Sequence, residues 1–233
     1  MLFYELTLLS PLYYRTRQDS GAAGSNTTDP WIGDLSIDYA INYSLGVTNL
    51  YFDYTGTKPN YEEVLKLPYL SSVAYPISEI NYTRVYDTAT SFISQGYLNY
   101  EAFQKTGNAP MRNWLKRQGL SPSNRFRFAL AVKDGWSPPE KFTVRLGNMK
   151  ETLALCSLLR QNIERISVNL FTLRLLMNKL DNEKENHDEE MKNELYKYLS
   201  NDPTSKIKFV MSQYIIMEKV NPDRWIEVLR DYK

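Results

Sequence analysis

Apolar and polar residues alternate with a period of two from Phe3 to Leu9, the spacing of a strand with one buried face, and Pro11 ends it or marks an edge. The run RTRQDSGAAGSNTTDP that follows has the Gly, Ser, Asn and Asp content of a long loop. Asp34 then stands where it can cap a helix over Leu35 to Leu45, with Leu35, Tyr39, Ile41 and Leu45 facing inward and Gly46 at C′. A strand is predicted over Leu50 to Tyr54, a turn at TGTKPN and a short helix around Tyr61 to Leu67. Val73 to Ile77 reads as a strand interrupted by Pro76, and Ile80 to Tyr100, rich in Tyr, Thr and Ser, as extended structure.

PMRNWLKRQGL fits a brief basic helix or turn stopped by Gly119. RFRFALAV, Arg125 to Val132, alternates most clearly, with Phe126 and Phe128 on one face and Arg125 and Arg127 on the other. KDGWSPPE is a turn, and KFTVRL beyond it is a second strand, so the two are expected to pair as a hairpin with their basic positions together. Glu151 to Leu180 is apolar with mixed periodicity: a helix over its first half, then a strand or second helix around Val168 to Met177. NEKENHDEEMKNELYKYL is a helix with charged faces, Lys208 to Val220 alternates again, and a short helix covers Pro222 to Leu229. Strands and helices follow no regular βαβ beat, which predicts an α+β fold around an antiparallel sheet.

Charge changes this picture through its distribution. The net charge is only +1, yet residues 105 to 150 hold ten Lys/Arg against Asp134 and Glu140, a net +8, while residues 181 to 202 come to −5. Such segregation is a footprint for polyanion binding, although basic residues solvated on several faces give the same count. The 42% hydrophobic content supports a core, and the single Cys156 excludes an internal disulfide and suits a reducing cytoplasm. No apolar run is long enough to span a bilayer, so no membrane is expected, and the N-terminus lacks the basic leader of a signal peptide.

The inventory of catalytic groups is thin. His187 is the only histidine and lies in the acidic run, Cys156 sits among leucines as a small hydrophobe, and no zinc ligand set, phosphate loop or calcium loop is present. Catalytic and metal-binding residues are therefore expected to be absent, and no cofactor is called for. The eighteen tyrosines belong mostly to core or sheet. Tyr13 and Tyr14, however, run directly into Arg15 and Arg17, the pairing of stacking ring and cation found in single-stranded RNA binders; core and RNA readings weigh equally there. In KFTVRLGNMK, Arg145 beside Gly147 is either a solvated edge residue or a strand end that meets an anion.

The order of IGDLSIDYAINYSLGV (Ile32 to Val47), VAYPIS (Val73 to Ser78), RFRFALAV and VRLGNMK (Val144 to Lys150) resembles the Cas-five family of CRISPR interference complexes, in the subtype I-D form called Csc-one. The resemblance covers residues 1 to 150. It implies one domain over residues 1–233: an RRM-like, ferredoxin-type antiparallel core, mainly residues 1–150, with a long loop or hairpin insertion, and a helix-containing extension over residues 151–233. It also implies a cytoplasmic ribonucleoprotein role in antiviral defence. Such a subunit binds the 5′ handle of the guide RNA, caps a Cas-seven-type backbone, and touches the large subunit and PAM-proximal target DNA. Carried onto this chain, the RNA-contacting set is Tyr13, Tyr14, Arg15, Arg17, Arg84, Arg112, Lys116, Arg117, Arg125, Arg127, Arg145, Gly147 and Lys150, with Gly147 permitting close backbone approach. Two alternatives stand beside this: a metal-independent endoribonuclease recruiting Tyr13, Tyr14 and Lys116, and a scaffold that binds only protein.

Overall fold

The N-terminal strand is the middle of the main sheet. In a computed structural model, which describes residues 1–14, 25–48, 61–90, 113–133, 135–147, 151–178, 206–211 and 214–231, β1 (Leu2–Leu8) pairs antiparallel on both sides. One neighbour is β7 (Arg125–Val132), with Leu6 opposite Phe126; the other is β9 (Thr152–Leu158), with Leu6 opposite Cys156. Beyond β9 lies β8 (Lys141–Leu146), and the far edge of β7 is shared by β3 (Tyr69–Ser71) and β4 (Tyr75–Pro76). The hairpin expected between β7 and β8 does not form, because β1 and β9 lie between them.

Period-two alternation sends Tyr4, Leu6, Leu8, Phe126, Phe128, Phe142, Val144 and Cys156 to one buried face. Tyr4 stacks on Phe128 at 5.7 Å between centroids, meets Phe142 edge-on at 5.4 Å, and donates its hydroxyl to the Pro139 carbonyl at 2.9 Å. Helix α1 (Asp34–Leu45) lies against β3 and β8 and ends at Gly46, whose φ of 60° is the left-handed C′ conformation that glycine adopts without steric cost. A 3₁₀ turn (Tyr61–Lys66) stands where a short helix was expected. The strand expected over Leu50 to Tyr54 and the acidic helix around His187 lie outside the described residues.

Two smaller sheets flank this core. In one, β6 (Asn113–Gln118) runs between β2 (Ser25–Thr27) and β5 (Tyr86–Thr90), antiparallel to β5 and parallel to β2. Asn113 to Gln118 is thus a strand, not the basic helix its residues suggest: pairing on both sides outranks local propensity. In the other, β10 (Ile166–Asn169), β12 (Tyr214–Val220) and β11 (Lys206–Met211) form an antiparallel sheet, accompanied by α2 (Leu170–Asn178) and α3 (Pro222–Asp231). The helix expected over the first half of Glu151 to Leu180 is β9, so the main sheet continues past residue 150. One hydrophobic cluster runs from Phe3 to Leu229. The architecture is mixed α/β on an antiparallel sheet, and its connectivity does not establish an RRM-type order of elements.

A buried polar cluster fastens the C-terminal sheet to α1. Asp34 sits inside the first turn, preceded by Gly33 as N-cap, and its carboxylate accepts hydrogen bonds from Asn169 Nδ2 at 2.9 Å and from the Thr172 hydroxyl. Asp38, one turn on, accepts the Ser71 N–H at 2.9 Å, while its Oδ2 is buried with no hydrogen-bond partner. Burial lifts the Asp34 carboxyl to about 6; burial and the nearby Asp34 charge raise Asp38 well above the ordinary carboxylate range.

Candidate nucleic-acid interface

The outward face of the main sheet is exposed around Arg125, Arg127, Lys141 and Arg145 and buried at Phe3, Ala129 and Ala131, and register arranges it in rows. Directly opposed residues of antiparallel strands share a face, so Tyr75, Arg127, Glu5, Ser157 and Lys141 form one row across five strands. At about 4.8 Å per strand spacing that row is about 19 Å long. The next row is Arg125, Thr7, Leu155 and Thr143; beyond it Arg145 stands opposite Leu153. Arg125, Arg127, Lys141 and Arg145 are all exposed.

These cations are not equivalent. Arg125 donates Nε to Glu5 Oε1 at 2.8 Å and a terminal nitrogen to Oε2 at 2.7 Å, a two-pronged pair. That bond, helped by the Arg125 and Arg127 charges, holds the Glu5 carboxyl below its ordinary value, and Glu5 in return raises Arg125. Arg127 stands opposite Glu5 in register and also lines a cavity. The cavity, of about 290 Å³, lies between the main sheet and the C-terminal sheet. Tyr75, Pro76, Ile77, Arg127, Ile163, Arg165, Ser167, Glu218 and Lys219 line it. Between Ile166 and Val168 the register with β12 slips by one residue, and at this bulge Lys219 takes a φ of 60°.

The sequence-derived candidates fall in three places. Arg125, Arg127 and Arg145 share the open face even though β7 and β8 do not pair. Lys116 and Arg117 lie on β6, central in its sheet, with exposed Arg84 shortly before β5. Tyr13, Tyr14 and Gly147 meet at the junction of the two sheets. Arg15, Arg17, Arg112 and Lys150 lie outside the described residues.

At that junction the chain packs on itself. Tyr14 joins the core; burial pushes its phenol up to about 12, opposed by Ser36 and the Gly147 backbone, and no well-formed hydrogen bond holds its buried oxygen. The Tyr13 ring lies over Gly119, where a Cβ would come within 2.6 Å of it. Gly147 takes a φ of 87°, the left-handed backbone that glycine favours. An added Cβ there would stand in ordinary contact, 3.5 Å from the Tyr13 carbonyl and the Thr152 hydroxyl, so the conformation of the turn and not a close approach calls for glycine. Burial raises Cys156 to about 12, the state of an inert thiol.

Four residues of this surface escaped selection as site residues: Lys141, Tyr75, Arg165 and Lys219. Lys141 had its signal in the strand alternation of KFTVRL. Tyr75 precedes Pro76, which marked only a broken strand, and nothing local announces a lysine in left-handed conformation. Among the described residues, no group of three or more His, Cys, Asp or Glu could hold a metal, and no helix is long and apolar enough to cross a membrane.

No curated protein matches the chain. A chain of the cryo-EM structure of the Type III-B Cmr-beta bound to cognate target RNA and AMPPnP, state 1, is similar at a TM-score of 0.40 and 10% identity, over 98% of this chain and 88% of that one. A likeness at that level carries no argument about the site. The sequence itself matches the family described as type I-D CRISPR-associated protein Cas5/Csc1 over residues 1–226, which takes in β1 to β12 and the start of α3. The chain therefore belongs to the type I-D CRISPR-associated Cas5/Csc1 family.

Proposed function

We propose that this chain is a non-catalytic RNA-binding subunit of a type I-D CRISPR effector complex. It holds the 5′ handle of the guide RNA and caps the Cas-seven-type backbone beside the large subunit. The observation that carries this reading is the exposed part of the sheet face, where register sets Arg127, Lys141 and Arg145 together with the Glu5-paired Arg125. Exposed cations spread over neighbouring strands suit a phosphate backbone, which fixes position without reading sequence. The non-catalytic reading draws support from Tyr14, whose buried phenol titrates far above neutral pH and is a poor general base.

The test is reconstitution of the complex with its backbone and large subunits and guide RNA. Arg127→Ala and Arg145→Ala are expected to lower RNA retention as salt rises, with Arg117→Ala on β6 as a third probe. If all three hold RNA as the wild type does, the basic-face reading fails. Incubating the purified chain with a CRISPR repeat RNA in EDTA tests the other half of the proposal. Cleavage at one position would replace the binding role with an endoribonuclease.

A further inference from the structure

Resting on the RNA-binding reading of the open face, we propose that the cavity at its Tyr75 end receives the base of one unpaired nucleotide, so that the strand is read there and merely gripped elsewhere. The open face has little on which a base could stack. Tyr4, Phe126, Phe128 and Phe142 point into the core, and Phe3, the ring on the outward side of β1, is only 9% exposed. Tyr75 is different: it shares the outward row with Arg127 and forms part of the cavity wall. Single-strand binders combine a positively charged groove with aromatic rings on which bases stack.

The cavity's size and lining fit one nucleotide. A volume of about 290 Å³ lies at the lower end of small-molecule sites, room for a single ring system with its phosphate at the mouth. Ile163 and Ile166 supply apolar lining, while Arg127, Arg165 and Lys219 line the cavity against a single acid, Glu218. Lys219 is held there in a backbone conformation that disfavours any residue with a Cβ, a strain that collects at functional sites.

The experiment measures binding of the full chain to a single-stranded RNA carrying the repeat-derived handle, with an abasic substitution moved through each position, by fluorescence anisotropy. One position is expected to lose affinity about ten-fold when abasic, the scale of one stacked base. Tyr75→Leu keeps an apolar contact to Trp31, Val73 and Ile216 but removes the ring; it should cost the same on intact RNA and nothing further on that abasic RNA. Ile163→Trp, which fills the cavity from the linker between β9 and β10, should flatten the positional profile even if Tyr75→Leu folds poorly. A wild-type profile without a special position, or losses that simply add, overturns the cavity proposal and leaves the sheet-face reading standing. A wild-type chain that binds no RNA at low salt overturns both.

Discussion

Single residues in this fold carry costs that a variant can expose. Asp34 and Asp38 both have folded-state pKa values raised from the ordinary 3.8. The folded chain therefore keeps protons that the unfolded chain has released; the stability from Asp34 is full below about pH 4 and falls as pH rises through 6, and Asp38 acts in the same direction. Asp38→Asn can still accept the Ser71 N–H and removes a charge repelled by Asp34. We expect thermal melts to show an unchanged or higher Tm at pH 7.5 and a shallower decline between pH 5 and 7.5. A lower Tm with an unaltered slope would refute this. Gly119 shows steric cost instead: a Cβ there would come within 2.6 Å of both the Leu12 carbonyl oxygen and the Tyr13 ring. Gly119→Ala should destabilise by about 1–3 kcal/mol, the usual penalty of forcing atoms into a packed site, read as a Tm drop of several degrees. Gly135→Ala, with nothing within 4 Å of the added methyl but a φ of 89°, isolates the cost of left-handed backbone, which Gly119 does not carry.

At the scale of elements, alternation was a reliable guide wherever one strand face is buried and the other wet. β1, β7 and β8 were legible for that reason, and α1 through its inward residues and Gly46. β9 was not, since TLALCSL places Leu153 and Leu155 on the open face and the small Ala154 and Cys156 inside, so its hydrophobicity is nearly continuous. β6 failed because NWLKRQ is good helix-forming material held extended by strands 25–27 and 86–90, which sequence proximity does not reveal. Misreading β9 also misplaces the end of the core. Because β9 lies between β1 and β8 in the sheet order, a chain truncated after residue 150 loses the strand that pairs with both among the described residues. Circular dichroism and gel filtration should find that fragment aggregated or lacking a cooperative melt; a monomer with a sharp transition would show that the sheet closes without β9.

For the whole molecule, the candidate surface was half legible. The alternating arginines of β7 named their own face, and Arg145 followed from KFTVRL, but the strand order that brings them together does not follow from either segment alone. Nor does the neutralising partner: Glu5 is 120 residues from Arg125 in sequence, and on the proposed RNA-binding role their pairing would set how the surface meets a polyanion. Each phosphate neutralised on a single strand contributes about −0.7 to the slope of log K against log salt. Replacing Arg127 and Lys141 together should therefore reduce that slope by about 1.4 in magnitude, two phosphates' worth. Arg125→Ala should change it far less, because its guanidinium is already bound to a carboxylate. Glu5→Gln makes the opposite test: with the carboxylate gone, Arg125 joins the surface, so binding should tighten at low salt and the slope steepen. If Glu5→Gln weakens binding instead, Glu5 serves to hold Arg125 in position for a phosphate rather than to silence it, and the pair belongs to the grip itself.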